Sequence, residues 1–404
     1  MNRPEPAQLP SGDALLSRTI PSRIGELEVL RTIAVTMVLL EHLSGNLMFW
    51  PSHLAKQIQQ TGAWTGVDLF FAISGFVIAR SLLPKLEEAR DTRAFMRVSV
   101  EFWIRRAWRL WPSAWFWLAA PLVLCFVFNR TGAYGGFQGN WEMAVAGVTN
   151  LANFHFAAVF MRAPPGTAFV QWSLSLEEQF YILLPFAAFL LRRKLPYLMG
   201  AILLYAFFTP TPYTALTMMI RGGSVAAGVL LAIWSFHPTY QDCAPVFLGR
   251  RQFARIGVLL GGIALLVTLG SAQWPVVPFF LGPVAIVTAL LVWVGSYGQG
   301  YLWQPGWPRT IMEVLAARTY SLYLIHIPVY FAMHEAWFRL YGGRIPTPRQ
   351  AVIYLLAAII ALIVVTELNH RLLERPLREH GKAVARRYAA RGNAALHGIR
   401  PNQG

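Results

Sequence analysis

The chain has 404 residues, of which 55% are hydrophobic and 13% charged, and its mean hydropathy is +0.44. The charged share is about half that of soluble domains, and long apolar runs recur, so a soluble globular fold is excluded. The net charge of 35 − 19 = +16 comes from short basic clusters beside the apolar runs. Because such clusters flank membrane spans on the cytoplasmic side, this charge predicts no nucleic-acid partner. Cys125 and Cys243 are too few for a disulfide scaffold or a metal site.

Ten apolar runs are long enough to cross a bilayer, which predicts an all-α, polytopic membrane helix bundle. They are 29–49, 64–83, 112–129, 174–191, 195–210, 214–234, 256–271, 276–295, 314–338 and 351–372. We expect three regions: a disordered cytoplasmic N-terminus over 1–24, a transmembrane domain over 25–376 and a basic cytoplasmic tail over 377–404 against the inner leaflet.

Loop charge predicts the topology. The N-terminus and the arginine-rich connection 84–111 are placed inside. The stretch 143–161 is apolar but holds Asn150, Asn153 and His155. If it spanned, the basic cluster 192–194 and the basic tail would both lie outside. We therefore expect that it does not span, that 130–172 is an outer segment, and that both termini are cytoplasmic.

The first span carries Arg31 and His42, eleven residues apart. That spacing is about three turns, so both side chains share one helix face, roughly 16 Å apart along the axis. Ionisable groups inside a membrane helix face a bundle interior or a wet cavity. The alternative is that Arg31 is a snorkelling flank and His42 a satisfied core histidine.

The second span contains Asp68, Ser74 and Gly75 in apolar sequence. Small residues such as Ser74 and Gly75 favour close helix packing. Asp68, near the outer end, is expected either to cap the helix or to pair with a cation.

A basic cluster of Arg105, Arg106 and Arg109 precedes the third span, and Pro112 suits the first helical turn of that span. Two interpretations stay open for the cluster. One is a positive-inside belt, and the other is a guanidinium fork for a phosphate-bearing cytoplasmic ligand.

The outer segment ends in a polar stretch with Ser173, Glu177 and Glu178. These residues can form an N-cap and acidic first turn, or they can hold a sugar hydroxyl. In the ninth span, Tyr323 and His326 are three residues apart and share a face, which adds to the case for a polar cavity.

Five of these motifs, taken in order, resemble the acyltransferase-3 family of integral membrane acyltransferases. Arg31-x10-His42 is similar to the family's Arg/Lys-x10-His signature, and Arg106-x-x-Arg109 to its Arg-x-x-Arg motif. The other three are Gly66-Val-Asp68-Leu-Phe-Phe-Ala-Ile-Ser74-Gly75-Phe, Trp172-Ser-Leu-Ser-Leu-Glu177-Glu-Gln-Phe-Tyr181 and Ser321-Leu-Tyr323-Leu-Ile-His326. The resemblance covers roughly residues 25–376. Glu41 departs from it, since an uncharged residue is common there in the family.

The resemblance implies transfer of an acyl group, most often acetyl, from cytoplasmic acyl-CoA to a hydroxyl of an exported or cell-surface glycan. It implies a bacterial inner-membrane enzyme of the stand-alone O-acetyltransferase type, with no metal and no permanently bound cofactor. Acylation of a small secondary metabolite, a covalent acyl-serine route and a transporter or flippase are the alternatives.

Roles follow for the motif residues. We expect His42 to be the general base and Arg31 to fix the donor or polarise its thioester carbonyl, with Glu177 and His326 also catalytic. Coenzyme A binding is expected of Arg105, Arg106 and Arg109. Acceptor binding is expected of Asp68, Ser173, Glu178 and Tyr323.

Overall fold

The computed structural model describes residues 24–160, 162–208, 221–271 and 280–396. Within these ranges the chain is built of helices and holds no β-strand, which confirms the all-α prediction. In chain order the longer helices are α1 (Gly25–Glu41), α2 (His53–Gln60), α3 (Gly66–Glu88), α4 (Thr92–Val127), α5 (Phe137–Val148), α6 (Ala152–Val159), α7 (Gln171–Leu191), α8 (Leu195–Phe208), α9 (Gly223–Trp234), α10 (Gln252–Leu269), α11 (Leu281–Ser296), α12 (Trp307–Ala316), α13 (Thr319–Tyr341), α14 (Pro348–Asn369) and α15 (Arg375–Leu396).

Shorter helical turns join these elements. They are the single turns Leu43–Asn46, Thr239–Asp242 and Val246–Arg250, the 3₁₀ turns Ala63–Thr65 and Arg192–Lys194, and a π turn at His370–Glu374 between α14 and α15.

Five helical stretches of the described chain are long and apolar enough to cross a membrane. They are Ala63–Glu88, Thr92–Val127, Gln171–Phe208, Gln252–Leu269 and Pro348–Arg391, and α9 and α11 are shorter apolar helices. The stretch 143–161 divides between α5, with 12 residues, and α6, with 8, and Asn150 between them has a φ of 58°. Neither helix approaches the roughly 20 residues that a span needs. Parts of the predicted spans 195–210, 214–234 and 276–295 lie outside the described residues.

Two predicted spans differ from the observed helices. The run 29–49 is not one helix, because α1 ends at Glu41 and Gly45 takes a φ of +81°. Pro112 does not open a helix either. It lies within α4, which begins at Thr92 and runs unbroken for 36 residues, so the basic cluster is helical and continuous with the third span.

Helices α3 and α9 pack at backbone distance in the centre of the bundle. A Cβ on Gly75 would lie 2.3 Å from the carbonyl oxygen of Val225, and one on Gly228 would lie 2.2 Å from that of Ala72. No side chain fits at such distances, so glycine is required at both positions. The predicted close packing is found for Gly75, whereas Ser74 faces a cavity.

Buried carboxylates hold the loops against this bundle. Glu26 accepts hydrogen bonds from the backbone N–H groups of Gly300 (2.9 Å) and Leu302 (2.5 Å). Glu335 accepts from the N–H groups of Arg130 and Thr131, both at 2.8 Å. A buried carboxylate is stable only when its oxygens find such donors, so these contacts fix the turns they bind.

Candidate functional site

A cavity of about 710 Å³ lies among α1, α3, α4, α7, α13 and α15. Six cationic side chains line it, against three carboxylates. The cations are Arg31, Arg80, Arg106, Arg109, Arg378 and Lys382, and the carboxylates are Glu28, Glu177 and Glu374. The cavity has the size of a ligand site, and its excess of positive charge suits an anionic ligand.

The cavity is long. Val67 and Ser81 both line it and are 14 residues apart on α3, which corresponds to about 21 Å along the helix. The part near Ser81 carries Arg80. The part near Val67, which we call the inner end, is lined by Val67, Phe70, Phe71, Ser173 and Tyr323. A ligand with an anionic portion and a long uncharged arm fits this distribution.

Glu177 is held in the cavity wall by two hydroxyl donors, Ser74 Oγ from α3 and Tyr181 OH from α7. The guanidinium of Arg106 lies 5.1 Å from the centre of the Tyr181 ring. A carboxylate, two hydroxyls and a cation from three helices are therefore fixed together in the middle of the cavity.

Arg80 and Arg109, which both line the cavity, have buried polar atoms that lack partners. Arg80 Nε and Nη1 and Arg109 Nε are buried without a hydrogen-bond acceptor in the described part of the protein. Unpaired guanidinium groups are costly to bury, and phosphate oxygens are the acceptors they bind best. Arg105 is different: its side chain is 42% exposed, it pairs with Glu101 on α4, and it does not line the cavity.

Two histidines from different helices meet beyond the inner end. His42 directly follows α1, and its Nδ1 lies 3.0 Å from the carbonyl oxygen of Val38 and 3.2 Å from His326 Nε2. His326 is fully buried on α13, and its Nδ1 lies 2.7 Å from the carbonyl oxygen of Tyr323.

The carbonyl partners assign the protons of this pair. A carbonyl only accepts, so Nδ1 of each neutral ring carries the hydrogen. His326 Nε2 then offers its lone pair to His42 Nδ1–H. Of the two histidines, His42 has a lone pair without a partner among the described residues, on Nε2, and the side chain of His42 is partly exposed. His326 thus fixes the tautomer in which His42 can accept a proton.

Tyr323 connects the histidines to the cavity. Its hydroxyl lies 2.5 Å from Ser173 Oγ, and both residues line the inner end. His326 follows three residues later on α13, and its ring centre is 5.8 Å from that of Tyr323. The histidine pair therefore lies about one side-chain layer beyond the inner end. Helix α1 links the two regions, because Arg31 lines the cavity and His42 directly follows the last residue of the helix.

Two predicted acceptor residues have other partners. Asp68 is buried in an ion pair with Arg221, whose guanidinium stacks 4.2 Å from the ring centre of Trp64, so the expected pairing with a cation is found. Glu178 accepts a 2.8 Å hydrogen bond from Trp111 Nε1. Neither residue lines the cavity. Glu41, the departure noted in the sequence, accepts the backbone N–H of Trp64 at 3.1 Å and so anchors the start of the second span.

Sequence reasoning assigned no role to several cavity residues: Glu28, Arg80, Glu374, Arg378 and Lys382. The last three stand at i, i+4 and i+8, a spacing that places them on one helix face. That spacing indicates a shared helix face, whereas basic composition alone places Arg378 and Lys382 in a tail against the inner leaflet.

Comparisons with known proteins identify the family of this chain. A family model described as an acyltransferase domain matches residues 24–367. The chain belongs to this family. The resemblance to the acyltransferase-3 family is thereby confirmed, and together with the apolar helices it identifies an integral membrane protein.

Curated relatives are O-acetyltransferases by name. The O-acetyltransferase OatA of Staphylococcus aureus (strain NCTC 8325 / PS 47) is 24% identical over 393 residues, covering 89% of this chain and 58% of OatA. "Putative peptidoglycan O-acetyltransferase YrhL" of Bacillus subtilis (strain 168) is 24% identical over 387 residues, covering 88% of this chain and 55% of YrhL. The chain thus spans little more than half the length of these relatives. No solved structure is significantly similar to it.

Proposed function

We propose that this protein is a membrane O-acyltransferase that moves an acyl group, acetyl in the first instance, from coenzyme A to a hydroxyl of a carbohydrate. The observation that carries the proposal is one cavity with six cations whose inner end lies next to a histidine pair. The names of the curated relatives support acetyl as the group and a glycan such as peptidoglycan as the acceptor.

Acyl-CoA fits the cavity by its chemistry. It joins a phosphate-rich nucleotide to a long, uncharged arm that ends in the thioester. Arg80, Arg106 and Arg109 would bind phosphate oxygens, and the arm would extend toward Phe70 and Tyr323 at the inner end. The phosphates would satisfy the unpaired nitrogens of Arg80 and Arg109.

The transfer step needs one base at that end. His42 Nε2 takes the proton of the acceptor hydroxyl as its oxygen attacks the thioester carbonyl carbon. The tetrahedral intermediate collapses, the C–S bond breaks, and the thiolate receives the proton from His42. The products are the O-acyl ester and free coenzyme A. Arg31 would fix the donor or stabilise the negative charge on the carbonyl oxygen, and Glu177 would hold the cavity wall around the arm.

Orientation in the membrane completes the proposal. With both termini in the cytoplasm of a bacterium, the basic ends of α3, α4 and α15 face the compartment that holds acyl-CoA. The start of α7, with Ser173, then faces outward, where an exported glycan approaches. Donor and acceptor would reach the histidine pair from opposite sides of the inner membrane.

The test is thioester consumption by the purified protein in proteoliposomes. We expect free thiol from acetyl-CoA only when a hydroxyl acceptor is present, and an acetyl ester on that acceptor by mass spectrometry. A panel of glycan fragments and small metabolites would identify the acceptor class. Acceptor-independent thiol release, or movement of a solute across the membrane with no thiol released, would contradict the proposal.

A further inference from the structure

Part of the cavity is built by a segment outside the family model. The model ends at residue 367, whereas Glu374, Arg378 and Lys382 line the cavity from the π turn and α15. Two of the six cations therefore belong to a helix that the shared domain does not include.

Helix α15 is firmly seated. Glu374 accepts hydrogen bonds from Ser321 Oγ (2.7 Å) and from His370 Nδ1 (3.1 Å). Further along, a Cβ on Gly381 would lie 2.2 Å from Trp108 Cβ, so α15 touches α4 as closely as glycine permits. Ala385 is fully buried one turn later. The basic residues of α15 are thus held at fixed positions beside α4.

The contacts with α4 give the direction in which α15 runs. Asn369 accepts a hydrogen bond from Trp117 Nε1 at 2.9 Å, and Gly381 packs on Trp108. The chain from Asn369 through α15 therefore runs antiparallel to α4. As the chain passes from Glu374 to Lys382, it moves about 12 Å away from the level of Ser321 and hence away from His326. Lys382 therefore lines a part of the cavity that is distant from the histidine pair.

Charge supports a ligand at this position. Arg378 lies 3.8 Å from both Glu374 and Glu379, so its guanidinium sits at the cavity wall beside two carboxylates. Lys382 pairs with Glu379 at 2.9 Å, but its side chain is 48% exposed. Exposed pairs of this kind are weak, so a doubly charged phosphate can replace them.

We propose that Arg378 and Lys382 bind the 3′-phosphate of coenzyme A. The inference rests on the proposed function. The thioester must reach the histidine pair, so the opposite end of the donor, the phosphorylated ribose, lies at the opposite end of the cavity. A phosphate is also the headgroup chemistry of anionic lipids, and the test must separate the two sources.

The experiment compares two donors, acetyl-CoA and its 3′-dephospho form, in proteoliposomes of phosphatidylcholine alone and in proteoliposomes that also contain an anionic lipid. We expect Lys382→Ala and Arg378→Ala to raise the KM for acetyl-CoA on the order of tenfold. Neither variant should change the KM for the dephospho donor, and kcat should be kept. Arg387→Ala is the matched control, because Arg387 is an exposed arginine of the same helix that does not line the cavity.

Three results would overturn the assignment. One is an unchanged KM for acetyl-CoA in Lys382→Ala, an exposed position where the change leaves the fold intact. Another is an equal rise in KM for both donors. The third is an effect that arises only in vesicles with anionic lipid and is shared by Arg387→Ala, which would assign α15 to the lipid surface. In each case thiol release by the wild-type protein would continue, whereas its complete absence would count against the proposed function itself.

Discussion

His42 and His326 have different roles although their rings touch. His326 is fully buried and uses both nitrogens, one toward the carbonyl of Tyr323 and one toward His42. His42 keeps Nε2 without a partner in the described part of the chain and stays partly exposed. We therefore propose that His326 is a positioning residue and that His42 is the base. The sequence suggested both as catalytic residues, but only the geometry distinguishes them.

Removal of the base should affect turnover alone. We expect His42→Ala to lower the transfer rate by roughly 10²-fold or more, the scale of a lost general base, and to leave donor affinity unchanged. His326→Gln should keep much more activity than His326→Leu, because a glutamine oxygen can still accept from His42 Nδ1–H. Steady-state kinetics of the purified variants measures both effects. Equal activity of the glutamine and leucine variants would remove the positioning role.

The arginines of α4 allow a matched comparison. Arg109 lines the cavity with an unpaired Nε, whereas Arg105, one turn earlier, is exposed and paired with Glu101. We expect Arg109→Ala to weaken acetyl-CoA binding by on the order of 1–3 kcal/mol, the range for hydrogen bonds to charged groups. Lysine at position 109 should restore only part of the affinity, because the planar fork is lost.

Arg105→Ala is the control for this comparison, and its donor affinity should match that of the wild type. Equilibrium binding of the donor to protein in detergent measures all three variants. If Arg105→Ala and Arg109→Ala weaken binding equally, the arginines act as a diffuse basic surface and not as a site.

At the scale of single helices, two glycines control how closely α3 and α9 approach. The pair matters for function because α3 carries Phe70, Ser74 and Arg80 along the cavity wall. We expect Gly75→Ala to destabilise the protein by about 1–3 kcal/mol, the cost of overpacking, since the new methyl group would meet the backbone of Val225.

Gly261→Ala is the comparison, because a Cβ at Gly261 in α10 meets nothing within 4 Å. That substitution should leave the midpoint of thermal unfolding unchanged or slightly higher, since alanine favours helix. Thermal unfolding in detergent measures both variants. A Gly75→Ala protein as stable as the Gly261→Ala protein would show that α3 and α9 are not locked together.

Helix periodicity predicted some elements well and others poorly, for physical reasons. Arg31 lies on α1 and His42 caps its C-terminus eleven residues later, so a regular helix sets nearly all of their separation. The end of α1 at Glu41 was not predicted, because the apolar run continues to residue 49 and the break depends on local dihedral angles at Ser44 and Gly45. The sequence predicts too late a start for α4, because Pro112 is typical of a first helical turn. In the structure, Pro112 lies inside the helix.

For the molecule as a whole, the cavity depends on contacts that no local pattern contains. Glu177 accepts a hydrogen bond from Ser74, which is 103 residues away in the sequence, and Asp68 accepts one from Arg221, which is 153 residues away. These residues are recognisable in the sequence, because charged groups in apolar runs are costly to bury. Their partners are not recognisable, because these lie far away in the sequence. Asp68, which the sequence predicts to bind the acceptor, lies in a buried ion pair with Arg221. Composition predicts a surface tail around Lys382, because its packing against α4 depends on residues that are far away in the sequence.

The orientation of the whole bundle can be tested with the protein's own thiols. Cys125 and Cys243 are free, and Cys243 is exposed in the connection that follows α9. With 137–159 folded as two short helices on the outer side, the predicted topology places Cys243 and Lys194 in the cytoplasm and Arg130 outside. In a Cys125→Ser background, we expect Cys243 to resist a membrane-impermeant maleimide in intact spheroplasts and to react once the membrane is opened. With Cys243 also replaced by serine, Lys194→Cys should behave in the same way, and Arg130→Cys should react in intact spheroplasts.

Labelling of Lys194→Cys from outside would mean that 137–159 crosses the membrane. The predicted topology would then be wrong, and with it the proposal that donor and acceptor reach the histidine pair from opposite sides of the membrane.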